Sequence, residues 1–316
     1  MTSYIKQKII CLVGPTAIGK TELSLKLALA LGTEIISADS VQLYKGMDIG
    51  SAKPTIEERM TVPHHLIDCI DIGDRSFSVS AYQCLADNAI SDIADRAMIP
   101  LIVGGSGLYI DSLIKPLNFA CPSDADVRQE LEREYSPEEP LNAWNALQKI
   151  DPVTASRLHP NDRKRIIRAL EIYHLSGRTL SSYGNDFSNS SKAECPYDPL
   201  IVILETDRSR LYDRIDRRVD AMIEAGLEQE VYDLYRAGYD LTYTPMQSLG
   251  YKHFIEYFNN IRSFDDTVAK IKLDTRHFAK RQISWFKRYK NAVHLITDDS
   301  TSVDVLATQI ISTYLK

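Results

Sequence analysis

The sequence predicts an α/β protein, a parallel sheet of the P-loop NTPase type that is interrupted by a helical insertion domain. Three observations lead to this prediction. Apolar strands alternate with amphipathic helices in the first third of the chain, a phosphate-binding loop follows the first strand, and a long helical stretch without strands precedes the later strands. The predicted core comprises residues 1–120 and 198–316, and the predicted insertion comprises residues 121–197.

The amino-terminal elements are predicted from short apolar runs and from helical periodicity. In chain order they are strand 9–13, helix 20–31, strand 34–37, helix 79–97, strand 99–103 and helix 108–114. Strands that alternate with helices form parallel sheets, and ligands bind at the carboxyl ends of such strands. We therefore expect the three turns after these strands to meet in one crevice: Gly14–Thr21, Asp39-Ser40 and Gly104–Ser106.

The pattern changes near Cys121, where the insertion is predicted to begin. Four short helices are predicted there, at 126–135, 140–150, 152–158 and 163–175, followed by a polar loop at 181–199. The apolar run 200–204 then resumes the sheet. The remaining predicted elements are helices 210–224, 227–237, 251–258 and 264–289, strand 292–296 and helix 302–314.

The composition excludes several classes of protein. The net charge of −6, with 44% hydrophobic and 25% charged residues, is ordinary for a globular protein and argues against a globally basic nucleic-acid binder. No apolar run approaches the ~18 residues of a membrane helix. Neither the five cysteines nor the seven histidines have the spacing of a metal site, and the cysteine pattern does not indicate a disulfide framework. We therefore expect a reduced, cytosolic protein.

The phosphate-binding loop is the most specific local motif. Strand 9–13 leads into Gly-x-x-x-x-Gly-Lys-Thr, and an amphipathic helix follows, which is the context that this motif requires. Loop N–H groups and the positive end of the helix dipole would surround phosphate oxygens, and the Thr21 hydroxyl would be a ligand for Mg²⁺. The candidate diphosphate-binding residues are Gly14, Pro15, Thr16, Ala17, Ile18, Gly19, Lys20 and Thr21.

Asp39 is the candidate acidic residue, because it ends the second strand beside the phosphate-binding loop. Strand 99–103 ends in Gly-Gly-Ser, whereas an ordinary P-loop hydrolase has at such a position a carboxylate that helps to hold Mg²⁺. Two functional roles stay open for Asp39, metal ligand or general base, and Asp-Ser is also common turn chemistry. Its position in the expected crevice favours a functional role.

The residues from Asp39 to Pro54 closely resemble a motif of the tRNA dimethylallyltransferases, also called isopentenyl-tRNA transferases. The resemblance extends over nearly the whole chain, and its blocks are 14–21, 39–54, 103–109, 159–171 and 275–286. Together these blocks are far more specific than the phosphate-binding loop alone. The resemblance implies transfer of the dimethylallyl group from its diphosphate to N6 of the adenosine that lies 3′ of the anticodon in tRNA.

The resemblance also implies catalytic roles for individual residues. Lys20, Arg218 and Mg²⁺ on Thr21 would neutralise the charge of the leaving diphosphate. Arg218 matches a family arginine that contacts the diphosphate, and Arg217 is the adjacent alternative. The exocyclic amine of adenine is a poor nucleophile, and Asp39 would accept its proton as the C–N bond forms.

Contacts to tRNA are implied both in the core and in the insertion. Ser106, for which the resemblance also implies a catalytic role, stands where most family members have threonine, so the hydroxyl is retained. The basic run 163–168 would by itself indicate a solvated helix face, but it falls within the family's tRNA-contacting block, and we expect residues 159–162 to cap its helix. The implied tRNA-binding residues are Asp39, Ser40, Val41, Gln42, Ser106, Arg128, Lys164, Arg165, Ile166, Ile167 and Arg168.

Several alternatives stay open from the sequence. The late basic helix, 276–290, could contact tRNA or support the diphosphate site. The whole chain could be a P-loop small-molecule kinase, an adenylate dimethylallyltransferase that makes cytokinins, or an RNA-binding protein without activity. The basic insertion favours a macromolecular acceptor, and the complete loop with Asp39 favours catalysis. We therefore predict a monomeric enzyme without membrane attachment, with the anticodon stem-loop of tRNA and dimethylallyl diphosphate as partners and Mg²⁺ as cofactor.

Overall fold

The chain divides into two compact units in the computed structural model, which describes residues 6–115, 124–183, 195–298 and 300–315. The first unit comprises residues 1–114 and 196–316, and the second comprises residues 115–195. Cys121 and residues 184–194 of the predicted polar loop lie outside the described residues.

The first unit is built on a six-stranded parallel sheet with the strand order β3-β2-β4-β1-β5-β6. The strands are β1 Gln7–Val13, β2 Ile35–Ala38, β3 His64–His65, β4 Leu101–Gly104, β5 Tyr197–Glu205 and β6 Val293–Ile296. β1 pairs with strands on both sides and is buried from Ile9 to Val13. A strand that helices cover on both faces is a continuous apolar run in sequence, which is why β1 was predictable.

Thirteen α-helices lie within the described residues. They are α1 Lys20–Leu31, α2 Ile56–Thr61, α3 Val79–Asp95, α4 Gly107–Ile114, α5 Ala125–Glu134, α6 Pro140–Ile150, α7 Pro152–Ala155, α8 Arg163–Ser176, α9 Arg208–Glu224, α10 Leu227–Arg236, α11 Tyr251–Phe258, α12 Phe264–Phe286 and α13 Val303–Tyr314. In the first unit, α1 and α13 pack with β1, β4 and β5 around one apolar core.

The structure adds two elements that the sequence did not predict, α2 and β3. Helix α2 has six residues, none of which is buried, so it has no apolar periodicity. Strand β3 has two residues and pairs only with β2. Two predicted helices also end earlier than expected, since α7 stops at Ala155 and α12 stops at Phe286. No helix in the described ranges combines the length and the apolar character that a membrane span requires.

The second unit has its own apolar core, formed by α5 to α8 around Leu131, Leu147 and Ile166. Helix α8 begins after Asp162, but its side chain makes no capping hydrogen bond. The carboxylate of Asp162 instead lies 2.5 Å from the Arg165 guanidinium, three residues further on. The expected cap from residues 159–162 is therefore wrong, because an ion pair within the first turn takes the carboxylate away from the backbone N–H groups.

Candidate phosphate and acceptor site

The register of the sheet brings the predicted site residues to one edge. Gly104, the last residue of β4, pairs with Val13 of β1 on one side and with Ala38 of β2 on the other. The turns that follow these strands therefore start at the same level. As expected, residues 16–21, 39–42 and 104–106 line one cavity of about 700 Å³, which we call the cavity below.

The phosphate-binding loop forms one wall of the cavity. Gly19 has a φ of 103° and precedes the first turn of α1, which directs backbone N–H groups toward the loop. The Lys20 ammonium donates to the carbonyls of Gly14 at 3.0 Å and of Pro15 at 2.8 Å. Gly14 and Pro15 are buried and Ile18 is 1% exposed, so these three residues shape the loop from behind. Thr21 is exposed on the cavity wall.

Two cations and one carboxylate in the cavity influence one another's charge. Burial lowers the pKa of Lys20, the charge of Arg218 lowers it further and Asp39 opposes both effects, and together they bring this pKa to about 7. Burial also lowers the pKa of Arg218, again against the attraction of Asp39. Buried cations are stabilised by a bound anion. The arrangement therefore favours an anionic ligand with more charge than Asp39 alone provides.

The structure distinguishes the two neighbouring arginines of α9. Arg218 lines the cavity, whereas Arg217 is exposed and its Nε donates to the Asp213 carbonyl of its own helix at 3.3 Å. Successive helical residues point about 100° apart. Of these two arginines, only Arg218 therefore contributes its side chain to the cavity.

Asp39 is a turn residue and also lines the cavity, so the turn interpretation and a functional role are compatible. Its Oδ1 accepts from the backbone N–H of Val41 at 2.8 Å and of Gln42 at 3.3 Å. Ser106 holds the same turn, because its Oγ accepts from the Ser40 N–H at 3.0 Å and its own N–H donates to the Ala38 carbonyl at 3.1 Å. The carboxylate is thereby fixed at the end of β2.

The amide of Gln42 has a defined orientation in the cavity wall. Its Oε1 accepts from the Ser37 hydroxyl at 2.9 Å. Its Nε2 donates to the carbonyls of Ala52 at 3.2 Å and of Ser51 at 3.4 Å. Val41, the residue before it, is half-buried on the same wall.

Gln282 of α12 is a site residue that sequence reasoning missed. Its Oε1 accepts from the Thr16 N–H at 2.9 Å, and its Nε2 donates to the Gly105 carbonyl at 3.0 Å. A Cβ at residue 105 would lie 2.3 Å from Nε2, so a larger residue there would displace the Gln282 amide. Gln282 thus joins the phosphate-binding loop to the turn after β4. The only signal was its position in the 275–286 block of the resemblance.

Further side chains complete the cavity around Arg218. Arg214, Lys252 and Arg281 add positive charge, and none of them was among the predicted site residues. A group of apolar residues forms another part of the cavity wall: Val219, Met222, Leu227, Leu249, Ile271 and Phe278. A polyanion and an apolar group can therefore be bound side by side.

Two other cations of the late basic segment form ion pairs within the fold. Arg276 forms an ion pair with Asp216 of α9. Arg288 lies 3.0 Å from the fully buried Asp111 of α4, which also accepts from the Tyr289 hydroxyl at 2.6 Å. Residues 276–290 could contact tRNA or support the diphosphate site. Among the cations of this segment, Arg281 is the one that lines the cavity, so the geometry supports the second alternative for Arg281 alone.

The predicted tRNA-binding residues of the second unit fall into three groups. Ile166 and Ile167 are 0% and 2% exposed in the core of that unit, so the prediction that they contact tRNA is wrong. Arg128 and Arg168 pair with the fully buried Glu171, at 2.7 Å and 2.9 Å. The two residues whose side chains are exposed are Lys164 and Arg165.

The donor set of the cavity fits Mg²⁺ held jointly with a ligand. No cluster of three or more His, Cys, Asp or Glu side chains occurs in the described part of the chain. Mg²⁺ usually keeps several waters and takes one or two protein ligands together with phosphate oxygens. The Thr21 hydroxyl and the Asp39 carboxylate both line the cavity and match this requirement.

The fold and the cavity define an α/β protein in which a phosphate-binding loop lies next to an apolar wall and a fixed carboxylate. A family model described as IPP transferase matches residues 42–289, and the chain belongs to this family. The tRNA dimethylallyltransferase of Alkaliphilus oremlandii is 43% identical over 288 residues, which cover 91% of this chain and 90% of the relative. That of Thermotoga petrophila is 44% identical over 286 residues, with 90% and 91% covered.

Solved structures are similar over nearly the whole chain. The tRNA isopentenylpyrophosphate transferase from Bacillus halodurans has a TM-score of 0.72 and 38% identity, and the match covers 98% of this chain and 97% of that one. A eukaryotic dimethylallyltransferase acting on tRNA has a TM-score of 0.81 and 30% identity, with 96% and 77% covered. The predicted family and the predicted fold class are confirmed.

Proposed function

We propose that this protein is a tRNA dimethylallyltransferase. It transfers the dimethylallyl group from dimethylallyl diphosphate to N6 of the adenosine 3′-adjacent to the anticodon and releases diphosphate. The observation that carries the proposal is the single cavity in which the phosphate-binding loop and Arg218 stand beside an apolar wall and the Asp39 carboxylate. The names of the relatives, which align over about nine-tenths of the chain, support it.

The leaving group is the part of the reaction for which the loop is suited. As the C–O bond of the allylic diphosphate breaks, negative charge grows on the diphosphate oxygens. The loop N–H groups, Lys20 and Arg218 are already positioned to stabilise this charge, and their burial strengthens the interaction. Mg²⁺, when bound at the Thr21 hydroxyl, would supply further positive charge to the same oxygens.

Asp39 is suited to activate the acceptor. The lone pair of the adenine N6 amine is delocalised into the ring, so N6 must lose a proton as it bonds to carbon. Both described hydrogen bonds of Asp39 fall on Oδ1, and none of the described residues donates to Oδ2. We assign Oδ2 as the proton acceptor. The apolar residues beyond Arg218 would cover the five-carbon group and exclude water from it.

Acceptor binding combines a pocket for one base with a surface for the RNA backbone. An adenine inside RNA must be unstacked before N6 can reach a carboxylate in the wall of a cavity. Ser40, Gln42 and Ser106 line the cavity where the base would enter. Lys164 and Arg165 are exposed on α8 and are suited to contact phosphates of the anticodon stem-loop.

Nucleoside mass analysis after incubation with dimethylallyl diphosphate and Mg²⁺ tests the proposal, with unmodified tRNA and AMP as alternative acceptors. We expect N6-dimethylallyladenosine in tRNA alone. Product on AMP would instead assign the protein to cytokinin synthesis. If neither acceptor were modified, a kinase activity would be the better interpretation, and ATP turnover would be measured next.

A further inference from the structure

The chain between β2 and α2 is held by a carboxylate from a distant helix. Glu230 of α10 accepts hydrogen bonds from the backbone N–H groups of Asp48 at 2.9 Å, Ile49 at 2.7 Å and Gly50 at 3.1 Å. The hydroxyl of Tyr251 donates a fourth hydrogen bond to Glu230 at 2.6 Å. One carboxylate thus caps the amino end of the turn 48–52.

The turn fits its surroundings so closely that it has little freedom to move. Tyr251 is fully buried, and a Cβ at residue 50 would lie 2.4 Å from its ring, so only glycine is tolerated there. Ala52 has a φ of 48°, which non-glycine residues rarely adopt. The Ser51 hydroxyl donates to the Met47 carbonyl at 2.6 Å. A strained residue persists only where neighbouring contacts fix the chain, and Glu230 supplies three of these contacts.

The other end of the same turn reaches the cavity. Its carbonyls at Ser51 and Ala52 accept the two hydrogen bonds from Gln42 Nε2. Glu230 therefore lies at the amino end of the turn and Gln42 at the carbonyl end. A negative charge at the N–H end polarises the peptide groups of a turn and makes its carbonyls better acceptors. The position and the direction of the Gln42 amide thus depend on Glu230.

The four hydrogen bonds at residue 230 require a carboxylate rather than an amide. All four partners of Glu230 are donors, and only an ionised carboxylate accepts at both oxygens without presenting an N–H group. Burial and the Glu230 charge raise the pKa of Tyr251, so its hydroxyl stays protonated and remains a donor. Glutamine at 230 would keep the size of the side chain and turn one acceptor into a donor.

We propose that Glu230 is a positioning residue for the acceptor base: through the turn 48–52 it fixes the Gln42 amide in the cavity wall beside Asp39. This inference rests on the proposed function, because it takes the base to be the adenosine of tRNA that is modified, or its neighbour. A base that is read by its edges requires polar groups in fixed directions. Glu230 does not line the cavity, so its effect reaches the RNA through the turn, whose residues Gly50, Ser51 and Ala52 line the cavity, and through the Gln42 amide that the turn holds.

Steady-state kinetics of Glu230→Gln test this, with KM measured separately for tRNA and for dimethylallyl diphosphate. We expect the KM for tRNA to rise about tenfold, as for the loss of about 1.4 kcal/mol, while the KM for dimethylallyl diphosphate stays within about twofold of the wild-type value. Glu228→Gln is the matched control, because Glu228 lies on the same helix and accepts no hydrogen bond from the turn. It should leave both constants unchanged.

A double-mutant cycle with Gln42→Ala separates positioning from a general effect on folding. If Glu230 acts through Gln42, the double variant should bind tRNA no more weakly than Gln42→Ala alone, since interacting residues are non-additive. The inference would be overturned if the two substitutions weakened tRNA binding by independent factors that multiply in the double variant. It would also be overturned if Glu230→Gln raised the KM values for tRNA and for dimethylallyl diphosphate equally. Should Glu230→Gln fail to fold, Tyr251→Phe decides instead, with an expected rise of about threefold in the KM for tRNA. A wild-type protein that does not modify tRNA would overturn the proposed function itself.

Discussion

The cavity of the first unit and helix α8 of the second unit both carry clustered cations, but the two clusters are balanced differently. In the cavity, burial lowers the pKa values of Lys20 and Arg218, and Asp39 is the carboxylate that opposes this. On α8, by contrast, Arg168 already pairs with the buried Glu171. A bound anion would therefore stabilise the cations of the cavity, whereas a carboxylate of the fold already neutralises part of the positive charge of α8. Positive charge that is adjacent in sequence need not be available to a ligand.

The largest effect that this comparison predicts is at the carboxylate of the cavity. Asp39→Ala should lower kcat by about 10²- to 10⁴-fold, because the N6 proton loses its acceptor. The Kd for tRNA should stay within about twofold of wild type, since the contacts outside the cavity persist. Single-turnover transfer and a filter-binding Kd measure the two quantities. Near-normal turnover would show that Asp39 is only a turn residue.

The next effect distinguishes the two adjacent arginines of α9. Arg218→Gln should lower kcat by about 10²- to 10³-fold, because it removes a buried donor that stabilises the leaving diphosphate. Arg217→Gln is the matched control and should retain wild-type kinetics, since that side chain points into solvent. The reverse order of effects, measured as kcat with both substrates saturating, would exclude Arg218 as the diphosphate ligand.

In the second unit the expected effects are smaller, and they differ between the exposed cations of α8 and a cation of α5 that pairs with a buried carboxylate. Lys164→Ala together with Arg165→Ala should weaken tRNA binding a few-fold and reduce the slope of log Kd against log salt by about 1 to 2, with Tm unchanged. Arg128→Ala should instead lower the stability of the second unit by about 1 to 2 kcal/mol, because buried Glu171 loses a donor. Salt-dependent binding and thermal melts test both. An unchanged salt slope would mean that Lys164 and Arg165 belong to an ordinary solvated helix face and do not contact tRNA.

The same comparison shows what the sequence could predict and what it could not. The predicted α1 has the bounds of the observed helix, because a phosphate-binding loop sets its start and Gly32 ends it. The burial of Ile166 within a basic run could not be predicted, since it depends on the packing of α5 to α8. The pairing of Arg128 with Glu171 joins residues 43 positions apart. Gln282 reaches Thr16 across 266 residues, so local patterns contain no signal for it.

The smallest predicted effect is the uptake of a proton by Lys20 when diphosphate binds. Because the pKa of Lys20 is about 7 in the free protein, its amine is roughly half protonated at pH 7. A bound diphosphate adds negative charge and raises this pKa again, so binding at pH 7 should take up about half a proton. As the pH rises above 7, the Lys20 amine is neutral in more of the free protein and must gain a proton on binding. The affinity for diphosphate should therefore fall.

Calorimetric titration of the protein with diphosphate, in buffers of different ionisation enthalpy, measures this uptake directly. Lys20→Met is the control, because any proton that the diphosphate itself exchanges is common to both proteins. The difference between them should approach half a proton at pH 7 and one proton near pH 9, where free Lys20 is almost fully neutral. A difference near zero at both values would mean that Lys20 is already fully charged in the empty cavity. The contrast with α8 would then lie only in the pairing of Arg168 with Glu171, because Lys20 would carry its full charge before any ligand binds.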